Sequence, residues 1–515
     1  MTNNVFTTTD QDGILSRSTT KPVYLSKVEI EGIQNLDDDF LKTLISPLLS
    51  TSDHTVNSLN NAIRETTTNF NKTGLFEKIA CSVDNDSTSL LAANIKYPFT
   101  NEVLIPTAAK FKLSQSQGTL TTLTTSTTTP VLPNSNNNSN DFNNESLFSF
   151  DFLNSNFKGY ADSLLFNYTL SSINFNNNLS LSYNSPLNND KKNQLLIDIY
   201  RSYSNNQSYS KHDQRTYSVF TGYQYSNFYD IKHDNNNNNF SYLTGLNIVQ
   251  DEVLNSNTNL LENNISSKVS LINNFSYNNL GNYDPSFNSS QSSSKNLIPS
   301  SSGCSLALKS EVAGLDKSSR KFHKLAFDST FYRSIVKNVL TFEQKILIGN
   351  IFPITIFNNS ADADKSTGIN VSDKFFGNLT GFKKNSIGFN KDDVYLGGNS
   401  ILFKSSTLYS KFPKFLSKSH VLDPLRFRLS LQYGDIYSNV DDLKKVFQNL
   451  NIFSKFSEIK HINKLSKVFA TNLSVGLFYS TKFSNLDLSY NIPLSNRACD
   501  ISRPGLQFNA SISMA

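Results

Sequence analysis

Toward the C-terminus, Gly505 to Met514 alternates without a break: Leu506, Phe508, Ala510, Ile512 and Met514 stand against Gln507, Asn509, Ser511 and Ser513. Successive strand side chains turn to opposite faces, so this is a strand with one apolar and one polar side. From Pro106 onward the same alternation recurs in segments of about eight to twelve residues separated by turn-formers. Leu425 to Tyr433 sets five apolar residues against Arg426, Arg428, Ser430 and Gln432, and Ala109, Phe111 and Leu113 enclose Lys110 and Lys112. Leu179, Leu181 and Tyr183 and, later, Leu486, Leu488 and Tyr490 obey the same rule. At about 3.3 Å per residue and a tilt near 45°, ten residues rise about 23 Å, the height of the apolar band of a membrane barrel. About sixteen such segments can be counted, which predicts an all-β transmembrane barrel of antiparallel strands over residues 106–515.

Residues 23–98 carry a different period. Val23 to Ile30 reads as a strand, and Leu36 to Leu49 places Phe40, Leu41, Leu44, Ile45, Leu48 and Leu49 on one helical face. Thr55 caps a second helix bearing Leu59, Ile63 and Phe70, which Gly74 ends, and strands Phe76 to Val83 and Leu90 to Tyr97 follow. This predicts a small α+β domain behind a disordered tail, residues 1–22. The Asn/Ser/Thr-rich stretches 114–144, 234–239 and 276–302 cannot bury enough area to fold and read as disordered loop insertions.

Composition narrows the picture. No run of 18 apolar residues exists, and the best candidate, Ile346 to Phe357, is interrupted by Gly349, Asn350 and Pro353, so a helical span is excluded. The 39 Phe and 22 Tyr suit barrel strands, which hide from hydropathy because only half their residues meet lipid. The first twenty residues hold Asp10, Asp12 and Arg17 with no apolar stretch, so neither a secretory signal nor a presequence is expected. Cys81, Cys304 and Cys499 are odd in number and far apart, pointing to free thiols rather than disulfides or zinc. Residues 23–98 hold ten acidic and six basic residues, about −4, so the rest is about +9 in a chain of net +5; solvated loop lysines explain that excess more simply than a nucleic-acid surface. The six histidines show no HExxH spacing, Gly397-Gly398 reads as a turn, and no GxGxxG, P-loop or GxSxG element occurs. No enzyme, cofactor or metal is expected.

Several groups of residues resemble known families. The β-α-α-β-β order, with Gly32 and Asn35 after the first strand and Thr73-Gly74-Leu75-Phe76 after the second helix, resembles a POTRA domain. Between Ile351 and Ser400 lies a long connection with Phe375-Phe376-Gly377, Leu379-Thr380-Gly381-Phe382, Ser386-Ile387-Gly388, Asp392-Asp393 and Leu396-Gly397-Gly398-Asn399. It resembles the conserved inner loop of the central barrel of the mitochondrial sorting and assembly machinery, a relative of the bacterial barrel-assembly protein. Asn156 to Ala161, Glu311 to Leu315 and Tyr490 to Leu494 resemble further segments of that family, and Arg503, Gly505, Phe508 and Ala510 resemble the C-terminal sorting signal of mitochondrial barrels. The likeness covers 23–113 and 145–515. One departure stands out: where the family's loop has an arginine before Gly-Phe, this chain has Thr380, which cannot supply a charge-assisted bond.

The resemblance implies an insertase in the mitochondrial outer membrane, its N-terminal domain in the intermembrane space, acting on unfolded β-barrel precursors with accessory subunits and membrane lipid, and needing no nucleic acid. It implies a lateral seam between Ala108, Ala109, Lys110, Phe111, Lys112 and Leu113 on one side and Gly505, Phe508, Ala510 and Ile512 on the other. It implies a lumen loop built on Thr380, Gly381, Phe382, Gly388, Gly397 and Gly398. A passive or polypeptide-conducting pore of the same membrane, or a soluble all-β surface protein, remains as an alternative.

Overall fold

The computed structural model of the 515-residue chain describes residues 21–33, 35–51, 53–73, 75–85, 105–115, 119–130, 145–171, 176–227, 239–256, 264–279, 303–316, 320–336, 339–354, 369–388, 390–391, 394–411, 425–438, 466, 468–480, 484–495 and 497–514. It divides into two compact units, one comprising residues 1–120, 153–164 and 183–195, the other the remainder.

The first unit holds a four-stranded mixed sheet made of β1 (Pro22–Glu31), β2 (Asp53–Thr55), β3 (Phe76–Asn85) and β4 (Ile105–Gln115), in the order β2-β1-β4-β3. Only the β1–β4 pair is parallel. Asp37 caps the helix Asp38–Leu44 by accepting the Asp39 and Phe40 N–H groups. Thr55 and Ser58 cap the helix Val56–Thr73 reciprocally: the Thr55 N–H donates to Ser58 Oγ at 2.8 Å and the Ser58 N–H to Thr55 Oγ1 at 3.2 Å. Leu59, Ala62 and Phe70 of that helix pack on Phe40, Leu44, Leu48, Leu75 and Phe111. A turn from later in the chain completes this unit. Ala161 enters the same core, Asn156 Nδ2 donates to the Asn35 carbonyl at 2.6 Å, the Asp37 N–H donates to the Gly159 carbonyl at 3.2 Å, and the Tyr160 ring stands edge-on to Phe40. The Asn-x-x-Gly-x-Ala spacing thus serves one docking turn, whose Ala161 N–H returns to Asn156 Oδ1 at 3.1 Å.

Two expectations fail here for one reason. Ala108 to Leu113 does not open the barrel; it lies in β4, between β1 and β3. Ala109 and Phe111 are 0% exposed and Leu113 6%, all inside the domain core, while Lys110 on the opposite face pairs with Glu31 at 2.5 Å. A half-buried strand of a soluble sheet and a half-lipidated strand of a barrel share the same period of two, so alternation alone cannot separate them. The domain therefore runs to Gln115, while Leu90 to Tyr97 lies outside the described residues. Of the expected tail, Pro22 already belongs to β1, and residues 1–20 lie outside the described residues.

The barrel closes through sixteen strands: β5 (Thr119–Pro130), β6 (Glu145–Asn154), β7 (Ser163–Ser171), β8 (Asn177–Leu187), β9 (Asp190–Asn205), β10 (Asp213–Ser226), β11 (Asn239–Leu254), β12 (Ile265–Asn278), β13 (Gly303–Ala313), β14 (Phe322–Val336), β15 (Leu340–Pro353), β18 (Ser400–Lys411), β19 (Leu425–Tyr437), β20 (Ala470–Ser480), β21 (Ser484–Pro493) and β22 (Gly505–Met514). A small hairpin, β16 (Asn390–Lys391) and β17 (Val394–Tyr395), sits in the connection between β15 and β18. The stretch 114–144, expected to be a disordered insertion, contains the first barrel strand. Eight of the twelve residues of β5 are threonine, whose β-branched side chain favours extended backbone. The expected insertion 276–302 likewise gives up Ser276 to Asn278 to β12.

Cross-strand register separates the two faces. Leu408, Leu429, Val475, Tyr490 and Leu506 are successive partners across β18 to β22, and Thr407, Ser430, Ser474, Asn491 and Gly505 form the adjacent row. Thr407, Ser430, Ser474 and Asn491 are buried, whereas Phe427 and Leu429 are 44% and 40% exposed, so the polar row faces inward and the apolar row faces lipid. No helix among the described residues is long and apolar enough to cross a membrane.

If β4 belongs to the domain core, Phe111→Ala should destabilise the N-terminal domain by about 3–5 kcal/mol, the cost of emptying a buried aromatic site. Limited proteolysis of the solubilised full chain should then release that domain at lower protease than in the unaltered protein. Lys110→Ala, which removes only partly exposed ion pairs, should change the digestion little.

Candidate functional site: an inward loop and a seam

The connection between β15 and β18 is held against the barrel wall at three places. At the first, the turn Val371–Asp373 meets a buried charged cluster. Asp373 Oδ1 accepts from Lys268 Nζ at 2.6 Å, and Oδ2 accepts from Arg320 Nη2 at 2.6 Å and Nε at 3.0 Å. Arg320 Nη1 also donates to Asp251 Oδ2 at 2.9 Å, Lys268 Nζ to Glu311 Oε1 at 2.6 Å, and Lys324 Nζ to the Asp373 carbonyl at 2.7 Å. Three cations thus meet three carboxylates. That balance matters because an unpaired buried ion costs several kcal/mol.

At the second place the loop offers no charge. Thr380 Oγ1 donates to Gln432 Oε1 at 2.7 Å and accepts from Asn472 Nδ2 at 3.0 Å. Two neutral hydrogen bonds therefore stand where the family resemblance leads one to expect an arginine. Gly381 follows with φ +80°, and a Cβ there would lie 2.4 Å from Asn472 Oδ1, so the turn excludes any side chain on both counts. Its neighbour Phe382 is buried with Leu379, Ile387 and Ala470, with Phe403 packed against them.

The third place is the turn between β21 and β22. The Lys383 N–H donates to the Ile501 carbonyl at 2.9 Å, the Ile501 N–H to the Ser386 carbonyl at 3.2 Å, and the Arg503 N–H to the Gly381 carbonyl at 2.7 Å. The Gly388 N–H donates to Asp500 Oδ1 at 3.1 Å, and Tyr395 Oη to the Cys499 carbonyl at 3.0 Å. Arg497 braces this turn, with Nη1 and Nη2 on Asp435 at 2.5 and 3.2 Å and Nε and Nη2 on Asp500 at 2.7 and 2.9 Å. Burial disfavours its charge, but the bonds to Asp435 and Asp500 outweigh that and hold its pKa above the ordinary arginine value.

Gly397 and Gly398 close the loop. The Gly398 N–H and carbonyl exchange hydrogen bonds with Phe375 at 3.0 and 2.9 Å, and a Cβ on Gly398 would meet Ile436 and Tyr437 at 2.4 Å. Phe375 itself lies over Gly349 of β15.

The seam is where the barrel's first and last strands meet. Strand β22 pairs with β5 from Gln507↔Pro130 to Met514↔Leu123. Thr380, Gly381, Phe382, Gly388, Gly397 and Gly398 thus all lie in one inward loop, and Gly505, Phe508, Ala510 and Ile512 lie in β22; Ala108 to Leu113 is not at the seam. Sequence reading overlooked Asp373, Arg320, Lys268, Asp251 and Arg497. They are scattered over some 250 positions with no spacing that links them, and only Asp373, just ahead of Phe375-Phe376-Gly377, carried a local signal. Among the described residues no group of His, Cys, Asp or Glu could hold a metal ion.

A model of the Omp85 superfamily domain matches residues 156–514. A protein of Schizosaccharomyces pombe described as SAM50-like is 23% identical over 517 residues, covering 97% of this chain and 92% of its own. The solved structure of BamA from Haemophilus ducreyi lacking POTRA domains 1–3 superposes with a TM-score of 0.64 at 14% identity, over 100% of this chain and 95% of that one. CdiB from Acinetobacter baumannii gives 0.51 at 10% identity, over 98% and 80%.

Asp373→Ala should leave the buried Lys268 and Arg320 and the half-buried Lys324 facing two carboxylates and cost about 3–5 kcal/mol. The temperature at which the folded barrel loses its compact gel mobility should fall accordingly. Lys42→Ala, which removes a solvent-exposed ion pair with Asp39 on the first helix, should leave that temperature nearly unchanged.

Proposed function

The chain belongs to the Omp85 superfamily, and from that premise we propose that it folds and inserts β-barrel precursors into the mitochondrial outer membrane by templating their strands at the seam between β5 and β22. The observation that carries this reading is topological. Every other neighbouring pair in the closed sheet consists of strands consecutive along the barrel chain, whereas β5 and β22 are its two ends and only hydrogen bonds join them. The Thr-rich sequence of β5 has no period-two pattern, so little in it fixes register against a partner. A precursor strand in lipid has unpaired N–H and C=O groups costing several kcal/mol, and an opened seam presents complementary groups. No nucleotide or cofactor enters this scheme, because strand pairing itself supplies the driving force.

An even strand number brings both barrel ends out on one side, which supports placing the N-terminal domain and the C-terminus together in the intermembrane space. The domain's POTRA-like order suits it to receive precursors there, and accessory subunits would then occupy the cytosolic face. The SAM50-like description of the fission yeast relative and the BamA fold favour this function over a conducting pore.

A cysteine at Thr127 should crosslink to a cysteine in the last strand of an arrested precursor, and the link should vanish when that strand's signal glycine is replaced. Crosslinks formed only at inward residues of middle strands, such as Arg428, would instead establish a conducting pore. Protease added outside sealed mitochondria should spare an N-terminal tag, and its cleavage would reverse the proposed orientation.

A further inference from the structure

The turn that precedes β22 is tied to the inward loop more densely than a simple strand connection needs. Three backbone hydrogen bonds join Gly381, Lys383 and Ser386 to Ile501 and Arg503, and Phe382 and Ser502 form an isolated bridge. The side chain holding this turn to the wall is Arg497, whose three nitrogens make five hydrogen bonds: two to Asp435, two to Asp500 and one to the Val468 carbonyl at 2.7 Å. Asp500 in turn accepts the loop's Gly388 N–H. One guanidinium therefore fixes a wall strand, β19, and the terminal turn, and through Asp500 the loop as well. Thr380 contributes no charge on the loop's side, so the cation holding this junction comes from the turn. Two residues beyond Arg503 the chain enters β22, and at Gln507 the seam pairing begins.

We propose that Arg497 is a positioning residue that couples the seat of the inward loop to closure of the seam. With the guanidinium in place, Asp500 to Arg503 is held against the loop, and β22 starts from a fixed point with its register set before it meets β5. Without it, Asp435 and Asp500 are left as two neighbouring buried carboxylates, the turn separates from the loop, and β22 loses the anchor at its first residues. A lysine retains the charge but cannot bond both carboxylates through a planar fork. The role assigned to the seam rests on the function proposed above, whereas the mechanical coupling can be measured without any precursor.

The test is disulfide formation across the seam in the full-length barrel with Cys81, Cys304 and Cys499 changed to serine. One cysteine pair is placed at Ala510 and Thr127, which are register partners in β22 and β5, and a control pair at Phe275 and Leu308 in β12 and β13. Arg497→Gln should lower the seam disulfide yield several-fold and leave the control pair unchanged, with Arg497→Lys intermediate. A seam yield unchanged or raised in folded Arg497→Gln protein would overturn the coupling. So would an equal loss at both pairs, which would mark Arg497 as a general stabiliser only. If the glutamine variant does not accumulate as a folded barrel, Arg497→Lys is read by the same two pairs. Precursor crosslinking at Thr127→Cys, measured separately, reports on templating, so its failure in otherwise unaltered protein would remove the proposed function without touching the coupling.

Discussion

A peptide group in hydrocarbon must find a hydrogen-bond partner within the protein, because leaving its N–H or C=O bare costs several kcal/mol. This architecture follows from that constraint. Strands can satisfy it only by closing on themselves, and this chain does so with sixteen, each pairing with both neighbours. Closure also creates one joint unlike the others, because the first and last strands must find each other without a connection to guide them. The N-terminal domain answers to a different constraint: it buries its apolar residues against helices, and its short mixed sheet does not close.

Inside the barrel the difficulty reverses, since polar and charged side chains point into a space that the loop partly occupies. The structure resolves this by pairing. Arg320, Lys268 and Lys324 meet Asp373, Asp251 and Glu311, while Arg428 pairs with Asp487 across β19 to β21. Replacing such a set with apolar side chains could be as stable, so the clusters are better understood as fixing one arrangement of the loop than as holding the barrel together. A carboxylate on the loop with cations on the wall, beside a neutral contact at Thr380, gives a directional seat. Bidentate and multidentate bonds of this kind tolerate little displacement.

Where a single strand decides its own pattern, the sequence was readable. Alternation located fifteen of the sixteen barrel strands, and the count of sixteen matches only because Ala108 to Leu113 stood in for β5. Helical periodicity located the helical stretches of the N-terminal domain, although the one helix expected over Leu36 to Leu49 is two, Asp38–Leu44 and Ser46–Leu49. The errors arise where local pattern is shared by two environments or is missing. Ala109, Phe111 and Leu113 alternate equally well for a soluble core and for lipid, and only the pairing of β4 with β1 and β3 decides. In β5 the threonines alternate with nothing, so composition suggested disorder although β-branched residues favour strands. In the loop, the glycines and Phe382 were visible because a turn demands particular residues at adjacent positions. Arg320 and Arg497 were not, and Asp373 only through the motif that follows it, because ion pairs between segments far apart in the chain leave no mark in one sequence.

That asymmetry bears on the seam. On one side, β22 alternates strictly, pairs with β21 over its length from Asn491↔Gly505 to Ser484↔Ile512, and is preceded by a turn bonded to the loop. Its register is set three times over: by pattern, by neighbour and by anchor. On the other side, β5 has Leu120 and Leu123 as its only apolar residues, placed without alternation among threonines, and ends at Pro130, which has no N–H to donate. A one-residue slip of β22 would turn Leu506, Phe508 and Ala510 inward, whereas the same slip of β5 changes little, because threonine would follow threonine. The joint therefore sets a strand specified by its own sequence and surroundings against one specified chiefly by its partner. For the templating role proposed above, an edge that is to pair stably yet accept other strands calls for that inequality, since two strongly specified strands would exclude all others and two weakly specified ones would not hold a register.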